Sequence, residues 1–210
     1  MDAFGPGASA TMPPTILRAK VAVLGAEASG KTALLNVLTH GVQAFPGQYT
    51  STTGVETLVY RVDKPSPSTG RPMQVELYCL DCSGHAVMLE NTQGHLADAS
   101  AAVVVIDVTA PEALEAAQLR YDRWLANKPQ RAVPPPCLVL CTKCDQDDTQ
   151  RTVSREAVAE WAQSRMLECQ ECSAAHNVRV NDAFDYLAEQ YLHKYEEFLD
   201  STMQEIRNAH

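Results

Sequence analysis

Gly25-Ala26-Glu27-Ala28-Ser29-Gly30-Lys31-Thr32 fits the spacing G-x-x-x-x-G-K-[ST]. Residues of this type at this spacing do phosphate chemistry. The glycines let the backbone present successive N–H groups to phosphate oxygens, the lysine reaches the terminal phosphates, and the hydroxyl takes a place on Mg²⁺. Asp81-Cys82-Ser83-Gly84 adds a D-x-x-G, with a carboxylate suited to hold a magnesium-bound water and a glycine able to approach a γ-phosphate. Thr142-Lys143-Cys144-Asp145 supplies a carboxylate that can accept from both N1–H and the 2-amino group of guanine, a donor pair that adenine lacks. Ser173-Ala174 closes the series. In this order the motifs imply a site for GTP or GDP with Mg²⁺.

Such residues need a scaffold that brings them to one edge. The short apolar run Ala19–Leu24 ends in a glycine and is followed by an apolar-periodic stretch over Lys31–Thr39, which predicts strand, glycine turn and helix. Val55–Val62 and Val75–Leu80 alternate like paired strands, joined by turn-rich Asp63–Pro72, and predict a hairpin with a ten-residue loop. Strands at 101–107, 137–141 and 167–172 then alternate with helices at 112–127 and 155–164 and from 182 onward. This alternation predicts an α/β fold with a mostly parallel six-stranded sheet, helices on both faces and ligands at the carboxyl edge of the strands. Residues 1–15 read as a loose tail with order beginning near Arg18, 16–195 as one domain, and 196–210 as an extension of the last helix. Phe198, Leu199, Met203 and Ile206 carry that helix's apolar stripe farther than the sheet requires, so the extension is a candidate partner contact.

Composition excludes several classes. In 210 residues, 26 acidic against 17 basic side chains give a formal net charge of -9, which disfavours nucleic acid as a partner. No apolar run is long enough to cross a bilayer, and the N-terminal segment lacks the pattern of a secretory signal, so a cytoplasmic protein is expected. The last four residues contain no cysteine, so no prenyl anchor is expected. Three C-x-x-C pairs, Cys79/Cys82, Cys141/Cys144 and Cys169/Cys172, have the spacing of zinc or redox motifs. Each ends a predicted strand, where residues i and i+3 point to opposite faces, so reduced structural thiols are the expectation.

From about Arg18 to the last helix the chain resembles the Ras-like small GTPases, which implies the G-domain form of the P-loop NTPase fold. The resemblance implies that Gly25, Ala28, Ser29, Gly30, Lys31, Thr32 and Ala33 surround the phosphates. Tyr49–Glu56 correspond to the first switch, with Thr52 on the magnesium and Tyr49 covering the phosphates. Phe45 corresponds to the aromatic that packs on guanine, and Asp81–Gly84 to the entry of the second switch. Thr142, Lys143 and Asp145 read the base, with Ser173, Ala174 and Ala175 as its last contacts. The metal ligands are then Thr32, Thr52 and Asp81, the last through water.

Three positions depart from the family pattern. Glu27 replaces a small residue in the phosphate loop, His85 stands where a glutamine orients the attacking water, and Ala175 replaces a lysine. His85 is the candidate catalytic residue, and a poor substitute for glutamine, so slow hydrolysis is expected. These departures, the Tyr-Thr-x-Thr-Thr-Gly of the first switch and the aromatic last helix are similar to the Rab-like GTPase branch of the intraflagellar transport B complex. That branch implies a small β-sandwich subunit and coiled-coil subunits as partners, and a place in the cytoplasm, the cilium or flagellum and its basal body. The alternative is a Rab-type switch in vesicle traffic.

Overall fold

The computed structural model describes residues 14–84, 94–128 and 134–208. Six strands form one sheet: β1 (Thr15–Gly25), β2 (Val55–Pro65), β3 (Pro72–Cys82), β4 (Ala101–Asp107), β5 (Cys137–Thr142) and β6 (Glu168–Glu171). Their order across the sheet is β2-β3-β1-β4-β5-β6; β2 runs antiparallel to β3 and the other pairs are parallel. Helices α1 (Lys31–His40), α2 (Ala113–Ala126), α3 (Arg155–Ser164) and α4 (Val180–Asn208) supply the crossovers and the covering layers. No described helix is long and apolar enough to cross a membrane.

The alternation of side chains along the strands divides the core in two. Val21, Val23, Val103, Val105, Leu138 and Leu140 face α1 and α4, while Ala22, Leu24, Val104, Ile106 and Val139 face α2 and α3. β4 is buried at every position and apolar from Ala101 to Ile106, as a central parallel strand covered on both faces must be, and only its last residue, Asp107, is charged. Phe184 of α4 is the largest fully buried side chain, and its ring meets Tyr60 of β2 edge-on at 6.4 Å. Truncating such a side chain costs roughly 3–5 kcal/mol.

Three expectations change. β1 starts at Thr15, not near Arg18, because β3 continues beside it and pairs Thr15 with Met73. The hairpin loop shrinks from ten residues to Ser66–Arg71, because the ladder runs on to the pair Pro65–Pro72. The polar residues that looked like turn material, Asp63 and Lys64, are strand residues, and Asp63 accepts a bond from Gln74 Nε2 at 2.9 Å. The opposite-face argument for the cysteines holds for Cys169 and Cys172 but not for Cys141 and Cys144, which both pack in the α2/α3 layer because Cys144 lies beyond the end of β5. The close cysteine contact is instead between strands, Cys141 Sγ to Cys169 Sγ at 3.9 Å. All seven thiols are free, and no cluster among the described residues could hold a metal through His, Cys, Asp or Glu alone.

Helix α4 runs unbroken for 29 residues. Val180, Ala183, Phe184, Leu187, Ala188 and Leu192 bury its first half, whereas Phe198, Leu199, Met203 and Ile206 are exposed. Between these halves Glu196 accepts from Ser66 Oγ at 2.6 Å and from the Ser68 backbone N–H at 3.0 Å, which fastens the helix to the hairpin loop.

Candidate functional site

The phosphate loop runs from the end of β1 to the start of α1. Gly30 has φ +92°, in the left-handed region where a Cβ is strained, and Ala28 adopts φ +59° beside it. These turns precede a helix whose N-cap, Gly30, has no side chain to cap it and whose first turn has no acidic residue. The helix therefore begins with backbone donors and a positive dipole end that favour an anion. Lys31 is 6% exposed and donates from Nζ to the carbonyl oxygens of Ala26 at 2.7 Å and Gly25 at 3.2 Å. Burial pulls its pKa down to about 8, outweighing the opposing pull of the nearby Asp81 carboxylate, so the ammonium is a desolvated cation.

Thr32, Thr52 and Asp81, far apart in sequence, meet at one point. Thr32 Oγ1 donates to Asp81 Oδ2 at 2.6 Å and lies 2.9 Å from Thr52 Oγ1. Asp81 is completely buried, its other carboxylate oxygen has no hydrogen-bond partner among the described residues, and burial raises its pKa. An orphaned buried carboxylate oxygen beside two hydroxyls is an all-oxygen donor set, which suits a hard divalent cation such as Mg²⁺. The cleft beside it, of about 330 Å³, is lined by Thr32, Thr52, Glu56 and Asp81. Gly84, three residues on, packs against the phosphate loop.

The residues expected to contact the base lie together at the ends of β5 and β6. Buried Thr142 donates to the Ser29 carbonyl at 2.8 Å and so ties this edge to the phosphate loop. Asp145 accepts from Ser173 Oγ at 2.6 Å and from Gln146 Nε2 at 2.8 Å. Its partial burial would raise the carboxylate pKa, but these hydrogen bonds outweigh that and hold it below the ordinary range. Ser173 and Ala174 are buried and Ala175 is half-buried on the same loop, while Ala33 follows Thr32 in the first turn of α1.

Two expected residues stand outside these groups. Phe45 is 41% exposed after a short 3₁₀ turn at Val42–Ala44. His85 lies outside the described residues. Glu27 accepts from Tyr49 OH at 3.1 Å, which links the phosphate loop to the first switch. Sequence reading missed Asp107, which ends β4 and pairs with Lys143 at 2.6 Å while also accepting from the Thr109 hydroxyl and N–H. A carboxylate at the carboxyl end of a predicted parallel strand was the available signal.

The G-x-x-x-x-G-K-T turn, the Thr32–Thr52–Asp81 oxygen cluster and Asp145 lie along one edge of this sheet. That arrangement accords with the class that sequence comparison shows: the chain belongs to the Ras family, whose model matches residues 20–193. Membership implies guanine-nucleotide binding. Among individual proteins it is similar to intraflagellar transport protein 27 of Chlamydomonas reinhardtii, 28% identical over 91% of this chain and 93% of that one. The human intraflagellar transport protein 27 homolog is 31% identical, over 86% and 94% of the two chains. Ras-related protein Rab-27A of Rattus norvegicus is 26% identical, over 87% and 82%.

Proposed function

We propose that this chain is a GTP-binding, Rab-like subunit of the intraflagellar transport B complex. The observation that carries the nucleotide reading is the convergence of Thr32, Thr52 and the orphaned Asp81 oxygen beside a desolvated Lys31. A bound Mg²⁺ would supply charge neutralisation between the phosphates there. Thr32 and Thr52 would hold it directly and Asp81 through water. With nucleotide bound, Lys31 would turn from the loop carbonyls to the phosphates, the first turn of α1 would donate its N–H groups, and Asp145 would accept from the base. Similarity to intraflagellar transport proteins over most of both chains supports the assembly, with a small β-sandwich subunit and coiled-coil subunits as partners and the cilium or flagellum as the place of action.

Hydrolysis is slow in this reading. An imidazole after Gly84 can donate to a phosphate and accept from water only as one neutral tautomer, whereas an amide does both. Intrinsic turnover is on the order of 10⁻⁴ s⁻¹ or below, the unassisted rate of this chemistry.

Mass spectrometry of nucleotide released from the purified protein tests the site: GTP or GDP is expected, and adenine nucleotide would refute the base assignment. Co-expression with the β-sandwich subunit tests the assembly. A complex that survives gel filtration is expected, and two separate peaks would refute the pairing.

A further inference from the structure

Arg120 is a cation that the nucleotide reading leaves unused. It lies half-buried in α2, donating from Nη2 to the Gly84 carbonyl at 2.8 Å and from Nη1 to the Ala116 carbonyl at 3.0 Å. Its Nε is buried without a hydrogen-bond partner among the described residues, and no described ion pair supplies a carboxylate. Burial lowers its pKa, and the nearby charge that acts on it, Arg123, is a like charge. A desolvated guanidinium without a counter-charge is costly, and such groups concentrate at functional sites. Arg120 also lines the same cavity wall as Lys31 and lowers that residue's pKa in turn.

The partner it holds is significant. A Cβ at Gly84 would lie 2.5 Å from the Ala26 carbonyl oxygen and 2.5 Å from Lys31 Nζ, so the glycine is pressed onto the phosphate loop. Its lack of a side chain permits this approach, and leaves nothing of its own to fix ψ. The hydrogen bond from Arg120 to its carbonyl does so from the other side. Gly84 is the D-x-x-G residue suited to approach a γ-phosphate. A diphosphate does not extend that far and relies on the loop, Lys31 and Thr32.

We infer that Arg120 is a positioning residue: by holding the Gly84 carbonyl it fixes the backbone there against the phosphate loop, and so sets the preference for a nucleoside triphosphate over a diphosphate. The inference rests on the guanine-nucleotide reading of the same site.

The test is the ratio of affinities for a non-hydrolysable GTP analogue and for GDP, measured by fluorescence titration on the full chain with Mg²⁺. Arg120→Met keeps the apolar stem and removes the donors. It should weaken the triphosphate about tenfold, as loss of a charged hydrogen bond does, with GDP affinity within about twofold of wild type. Arg120→Lys, which can still donate to the carbonyl, should keep the ratio within about threefold. If Arg120→Met does not fold, Arg120→Gln, whose amide falls short of Gly84, is read in its place against Arg120→Lys. Equal losses for both nucleotides, or no change in either, would overturn the inference and leave the site reading standing. Wild-type protein that binds neither nucleotide would overturn both.

Discussion

Lys31 offers a test of the site that needs no nucleotide. Burial is the largest influence on its ammonium and brings its pKa to about 8, while in the unfolded chain the group keeps its ordinary value of 10.5. Between those values the unfolded chain holds a proton that the folded protein has released, so the contribution of Lys31 to stability rises with pH. From the two pKa values, the buried charge costs the folded state about 3 kcal/mol at pH 7, and about 1 kcal/mol of that is recovered by pH 9. The thiols act with the opposite sign. Burial raises Cys79 to about 12 and Cys82 to about 11, so as pH climbs through the ordinary thiol range the unfolded chain releases protons that the folded one keeps. The two effects separate when wild type is compared with Lys31→Met, which has the same cysteines. Urea denaturation of nucleotide-free protein should show wild type gaining about 1 kcal/mol on the variant between pH 7 and pH 9. Saturating GDP should abolish the gain, because phosphates keep the ammonium charged. A difference that is flat in pH, or that moves the other way, would refute the picture of Lys31 as a desolvated cation awaiting an anion.

Asp145→Asn puts a donor amide where the base presents donors, and should weaken GDP by at least ~10-fold in a direct titration; unchanged affinity would refute the base assignment. Asp81→Ala should abolish the slowing of GDP release by Mg²⁺, measured as the off-rate with and without EDTA; equal magnesium dependence in both proteins would refute the metal corner. Single-turnover hydrolysis by GTP-loaded protein should run at about 10⁻⁴ s⁻¹ or less, and His85→Gln should raise it; a wild-type rate near ~1 s⁻¹ without an activator would show His85 to be competent, against the Ras-type expectation. Removing residues after Glu197 should leave GDP affinity intact and weaken pairing with the β-sandwich subunit, since Glu196 still clasps the hairpin; loss of GDP binding would mean that the distal helix is needed by the core.

The phosphate loop, the D-x-x-G and the T-K-x-D were legible because each is a local string whose spacing carries its chemistry. Thr52 was different. Nothing in Thr50–Gly54 marks one hydroxyl over another, and only the fold brings Thr52 to within 2.9 Å of Thr32. Asp107, Arg120 and Glu196 escaped for the same reason: their partners Lys143, Gly84 and Ser66 lie 36, 36 and 130 positions away. The hairpin loop was overestimated because Asp63, Lys64 and Pro65 have turn-like composition, while a ladder needs only a partner strand opposite them. The cysteine geometry went astray where a strand rule was applied to Cys144, one residue past a positive-φ Lys143 that ends the strand regime.

The unbroken course of α4 has a consequence for how its exposed end would meet a partner of the kind proposed above. Starting a helix in water is unfavourable, and an isolated segment as short as residues 197–208 would be mostly unfolded, because one hydrogen bond must offset several fixed dihedrals. Here the initiation step has been completed elsewhere, by the turns that Phe184, Leu187 and Leu192 bury in the sheet. Each later residue only propagates an existing spiral. Phe198, Leu199, Met203 and Ile206 are therefore presented in fixed register before any encounter, and binding to them does not carry the ordering entropy that a coupled folding reaction would. The same stiffness keeps that apolar row in water whenever the protein is alone, so the free chain is the form most prone to self-association.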